Sequence, residues 1–309
     1  MEQTDRDALR NLIFSVILGI VLSRLSLGSA IMTVPVLMVC PRLKQKSVKI
    51  GAFCAILVGT VIWTVIQNRV LLNTEYWPAL LVSLYLPSCF TIGSAVWAVG
   101  ADYSSSSMRK FFWACIPVFL MGVALGIYFA GDASLKIREV LIENVMYMFP
   151  SDMLSVDLTP MIKGVVNSMA LVFAPIAVLL LALPIVISDV NLNRFNEDWQ
   201  YDFANMKLPD SYVWILFASW ACALVFRLVS GIPSWALVLA WNLALTMTVL
   251  YFIVGVSILV AFARRRTAAI TAGRIVFTVV LVCFIPFLNI AAAVVLPLLG
   301  VLETWIKFR

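Results

Sequence analysis

The chain has 309 residues, of which 63% are hydrophobic and 12% charged, with a net charge of +6 and no histidine. A water-soluble protein of this length cannot bury so much apolar surface, so lipid must cover much of it and an all-α membrane protein is expected. The missing histidine removes the usual proton switch, the commonest metal ligand and the usual haem ligand, and no metal site or cofactor is expected.

Residues 1–10, MEQTDRDALR, are too acidic for a signal-peptide leader, so the first apolar segment is expected to stay as a membrane helix. Leu12–Leu22 and Ser29–Cys40 are short apolar pieces around Arg24 and Gly28, and they read as a bent hairpin kinked at Pro35. The basic stretch 41–49 then predicts a cytoplasmic loop. Lys49–Gln67 is the third span; Gly51, Ala55 and Gly59 form a small-residue stripe suited to close helix packing. Trp77–Gly100 is the fourth span, with Trp77 and Trp97 expected in the interfacial belts. Phe111–Ala130 is the fifth, and Gly122 and Gly126 make a GxxxG pair.

Residues 131–164 read as one or two amphipathic helices on the outer interface, with Ser151 and Asp152 as a possible cap. Val165–Ser188 is the sixth span, interrupted by Pro175 and Pro184. A cytoplasmic segment, 191–210, carries Phe195, Trp199, Tyr201 and Phe203 as an interface anchor or a docking surface. Ser211–Ser230 is the seventh span.

The longest uncharged stretch is Ser234–Ala263, the eighth span. Thirty helical residues extend roughly 45 Å, against a hydrocarbon core of about 30 Å. Arg264, Arg265 and Arg266 follow at once and act as topology anchors, because translocating them is costly. Ile275–Leu302 crosses once, or breaks near Pro286 and Asn289 into two arms that return to the cytoplasm. The expected whole is a polytopic helical bundle of about 8–10 spans, divided into an N-terminal membrane bundle (residues 1–188) and a set of C-terminal membrane helices (residues 189–309). Both termini are expected in the cytoplasm: that topology puts 16 of the 22 basic residues on the cytoplasmic side.

Three features of the C-terminal half resemble the YybS-like family of bacterial inner-membrane proteins, a domain of unknown function. The first is the turn Leu208, Pro209, Asp210 before a span. The second is a long span carrying Asn242, Tyr251 and Gly255, followed by arginines. The third is the terminal stretch GVLETWIKFR, 300–309, which departs from the family pattern at Glu303 and Lys307. The six N-terminal spans are similar, more faintly, to the S components of energy-coupling-factor transporters and to the rod-shape protein MreD. The resemblance implies a bacterial inner-membrane location.

Candidate site residues are few. Arg24 and Arg227 are charges near the outer ends of spans; they either meet around an anionic group or snorkel to the headgroups. Asn242, in mid-span, needs a hydrogen-bond partner and either joins helices or contacts a ligand. Asn289 either satisfies a helix break or reads a substrate. Gly255 belongs with the packing glycines. Thr246 and Thr248 are expected to bond back to helix carbonyls. No GxSxG, HExxH or Walker A pattern occurs, so no enzyme is expected. The expectation is a non-catalytic membrane subunit or scaffold, or alternatively a subunit binding a small molecule or lipid. Its partners would be the bilayer and a membrane protein or a second copy of the chain, and not nucleic acid.

Overall fold

A computed structural model describes residues 3–25, 28–43, 45–69, 77, 79–100, 107–131, 134–147, 159–193, 196–229, 231–267 and 270–309. Among them are thirteen α-helices and no strand. In order these are α1 (Gln3–Leu22), α2 (Val34–Val39), α3 (Lys46–Gln67), α4 (Ala79–Gly100), α5 (Ser107–Ala130), α6 (Leu135–Tyr147) and α7 (Thr159–Ser168). Then come α8 (Phe173–Leu192), α9 (Glu197–Ala204), α10 (Tyr212–Leu228), α11 (Ser234–Arg266), α12 (Ala272–Phe284) and α13 (Leu288–Leu302). Five of them, α3, α4, α5, α8 and α11, are long and apolar enough to cross a membrane. Four shorter apolar segments, Gly28–Arg42, α10, α12 and α13, join them. The chain is an all-α polytopic bundle.

Helix α11 is the hub, packing on α5, α8, α9, α10, α12 and α13. It is apolar on all sides and its largest buried side chains are Tyr251, Leu250 and Ile258, as expected of a helix at the centre of a bundle. One continuous core runs from Leu12 to Val301, with residues on both sides of position 188.

The expected sixth span is divided. Helix α7 ends at Ser168, a short 3-10 turn covers Met169–Leu171, and α8 starts at Phe173. Pro175 explains the break: it has no N–H, and its ring excludes a helical carbonyl four residues back. It is tolerated in the first turn of α8, where donors have no helical partner anyway. Among the described residues of 131–168 are two helices, α6 and α7, packed on each other, burying Ile137, Ile162 and Val166. The proposed cap at Ser151 and Asp152 lies outside the described residues, as does Phe195.

The last apolar stretch is also divided, at Ile285–Phe287, where Phe287 has φ 68°. Its second arm differs from the expected return. Gly255 abuts Leu296 and Gly300 abuts Tyr251, so α13 runs antiparallel to α11 and leads away from the arginines. A turn after Leu302 brings Arg309 back to Ser257.

Candidate functional site

The break between α7 and α8 brings polar groups into the buried core. Ala170 and Ala174 are spaced i, i+4, the pair that an unbroken helix bonds directly. Here the Asn242 amide bridges them. Its Oδ1 accepts from the Ala174 N–H at 2.9 Å, and its Nδ2 donates to the Ala170 carbonyl at 2.9 Å and to the Val238 carbonyl at 2.8 Å. Asn242 is fully buried and has no capacity left for a ligand beyond one acceptor lone pair. It is helix glue.

Gly122 and Gly126 of α5 face the same break. A Cβ on Gly122 would lie 2.5 Å from Ala174 Cα, and one on Gly126 would lie 2.5 Å from the Ala170 carbonyl oxygen. The GxxxG pair therefore serves an internal contact, pressing α5 against the exposed backbone of the break. Tyr85 completes the enclosure, its hydroxyl donating to the Phe173 carbonyl at 2.8 Å.

The two arginines do not meet. Arg24 clamps the end of α3: Nη1 donates to Gln67 Oε1 at 2.8 Å and Nη2 to Thr64 Oγ1 at 2.9 Å, with the guanidinium 5.7 Å from the Trp63 ring. Arg227, in the last turn of α10, is exposed and makes no hydrogen bond or ion pair among the described residues. Snorkelling suits Arg227, whereas Arg24 ties α1 to α3. Asn289 accepts from the Ile290 N–H at 2.7 Å, satisfying an orphan donor of α13. Thr248 bonds back to Ala244 at 2.9 Å as expected, but the buried Thr246 hydroxyl has no partner among the described residues.

Two packing assignments need correction. Gly51 is exposed with open space around it, and Ala55 is exposed too. The face of α3 turned to the core carries Ala52, Phe53, Ile56 and Thr60, about 135° round the helix from them. Of that stripe only Gly59 is tight, against Ile20 of α1. Trp97, expected in an interfacial belt, is instead buried, beside a cavity of about 490 Å³ that it shares with Lys49, Lys110, Asp189 and Trp199. Gly255 is as tight as expected: a Cβ there would lie 2.1 Å from the Leu296 carbonyl oxygen.

At the arginine-rich end of α11, Arg264 pairs with Glu197 of α9, while Arg265 and Arg266 are exposed. Arg266 stands beside an apolar groove of about 730 Å³ between α11, α12 and α13. Nearby, the C-terminal tail forms a polar cluster that sequence reasoning missed. The Arg309 side chain, only 7% exposed, donates to Glu303 Oε1 at 3.0 Å, Ser257 Oγ at 2.9 Å, and the Ala204 and Met206 carbonyls. Burial lowers its pKa below the ordinary guanidinium value, and the Glu303 carboxylate opposes that shift.

The tail closes one wall of a cavity of about 350 Å³, shared with Lys207, Asp210, Tyr251, Gly300 and Lys307. Residues of the Leu208–Asp210 turn, the Tyr251–Gly255 stretch and the 300–309 tail thus converge on one place. Serine, glycine and arginine in apolar surroundings were the available signals for Ser257, Gly300 and Arg309. Their pairing depends on the reversal of the chain after Leu302. Among the described residues no group of acidic, cysteine or histidine side chains is placed to hold a metal. No family model matches the chain, and neither does any curated protein or solved structure.

Proposed function

We propose that the protein is a non-catalytic integral subunit or scaffold of a bacterial inner-membrane complex. One observation carries this reading: α12 and the tip of the α12–α13 arm are scarcely covered by the rest of the chain, although α13 packs on α11. Ala272 is the single buried residue of α12, and Phe284 and Phe287 at the arm's tip are 81% and 84% exposed. Two helices of 13 and 15 residues extend about 20 Å and 22 Å, too short to cross a bilayer alone. Another membrane helix packed on the arm would supply the missing contacts. The Asn242 amide at the centre of the core, by contrast, is engaged within the chain.

The test is a photo-reactive residue at Phe284 or Phe287, followed by extraction in mild detergent. A crosslink to one reproducible membrane protein, or to a second copy of this chain, is the expected result. Repeated recovery of the uncrosslinked protein alone counts against the reading.

The apolar groove beside Arg266 favours a second reading, a membrane subunit that binds a lipid or small molecule. Native mass spectrometry tests it through a reproducible mass increment of a few hundred daltons.

A further inference from the structure

The cavity behind the C-terminal tail has a feature that packing does not explain. Tyr251 is 2% exposed, and its hydroxyl is buried without a hydrogen-bond partner among the described residues. A buried hydroxyl left unpaired is costly, so an occupant that accepts its hydrogen bond is favoured. Tyr251 lines the cavity of about 350 Å³. Gly300 lines it too, at the close crossing of α11 and α13, where a Cβ on Gly300 would lie 2.2 Å from the Tyr251 carbonyl oxygen.

The charges point to the sign of the occupant. Lys207 and Lys307 line the cavity, are exposed, and have no ion-pair partner among the described residues. Two carboxylates also line it. That of Glu303 is neutralised by Arg309, which leaves Asp210 against two ammonium groups. Thr304 adds a hydroxyl. Trp305, 58% exposed and stacked on Phe217 of α10, sits next to Thr304 in the chain, the amphipathic ring type enriched at a bilayer surface.

We propose that this cavity binds a singly charged phosphate group through Lys207, Lys307 and the Tyr251 hydroxyl. The group belongs either to an anionic phospholipid headgroup or to a free phosphate; both present negatively charged phosphate oxygens to the same donors. This goes beyond the subunit reading, and its test needs no partner protein.

The experiment uses the full chain, delipidated in detergent, with thermal unfolding followed by tryptophan fluorescence at fixed ionic strength. Inorganic phosphate, phosphatidylglycerol micelles and phosphatidylcholine micelles are titrated separately. The proposal expects a saturable rise in Tm. A rise with inorganic phosphate identifies the free ion as sufficient, and a rise with phosphatidylglycerol alone identifies the headgroup. Tyr251→Phe keeps the ring and Lys307→Gln alters only an exposed side chain, so both variants fold. Together with Lys207→Gln they shift the titration midpoint to higher concentration, by about tenfold when both lysines are changed. No saturable shift with either phosphate source overturns the proposal, with water then the hydroxyl's partner. An equal shift with phosphatidylcholine overturns it, and so do midpoints unchanged in the variants.

Discussion

Removing the Asn242 amide leaves the Ala174 N–H and the Ala170 carbonyl facing each other across a broken helix turn. A buried group left unpaired costs about 1–3 kcal/mol in soluble proteins, and interhelical bonds in bilayers average about 0.6 kcal/mol. Asn242→Leu is therefore expected to destabilise the bundle by about 2 kcal/mol, read as a lower Tm in mild detergent. The two arginines provide an internal contrast. Arg24→Met frees Gln67 and Thr64 and unties α1 from α3, so its Tm falls. Arg227→Met removes no hydrogen bond or ion pair among the described residues, and its stability stays within about 0.5 kcal/mol of the parent. An equal loss in both variants would mean that Arg24 is not the tie described.

At the scale of helices, glycines with the same sequence signature have opposite roles. Gly51 and Gly122 each begin a small-xxx-small pair, yet a Cβ on Gly51 meets nothing while one on Gly122 strikes the backbone of α8. Gly51→Ala is expected to be neutral, or to stabilise by up to about 1 kcal/mol through helix propensity. Gly122→Ala and Gly255→Ala force apart α5 from α8 and α11 from α13. Both are expected to lower Tm and the yield of monodisperse protein on size exclusion. The pattern alone does not separate these cases, because it does not say which side of a helix meets a partner. In α3 the discriminating signal is the row Ala52, Phe53, Ile56, Thr60, which carries the core contacts. In α5 it is the neighbouring break, visible in the sequence only as Pro175.

For the whole molecule, uncharged runs and prolines made most of the helices legible: the spans α3, α4, α5 and α11 fall where the runs do. The path after Arg266 was not legible, because hydropathy gives length and not direction. That path decides the candidate site, since Arg309, Glu303 and Ser257 meet only when the chain turns back after Leu302. Orientation rests on a different argument, the placing of basic residues. If the arginine end of α11 lies on the cytoplasmic face, the topology read from the sequence puts 16 of the 22 basic residues there, and inverting it reverses that excess. Single-cysteine reporters test it in a background where the six native cysteines are replaced by alanine. Thr267 follows the arginine cluster and Arg69 follows α3, and both are exposed. In intact cells Arg69→Cys should react with a membrane-impermeant maleimide and Thr267→Cys only after permeabilisation. The opposite pattern would invert the molecule, placing the tail cavity and its two lysines on the outer face.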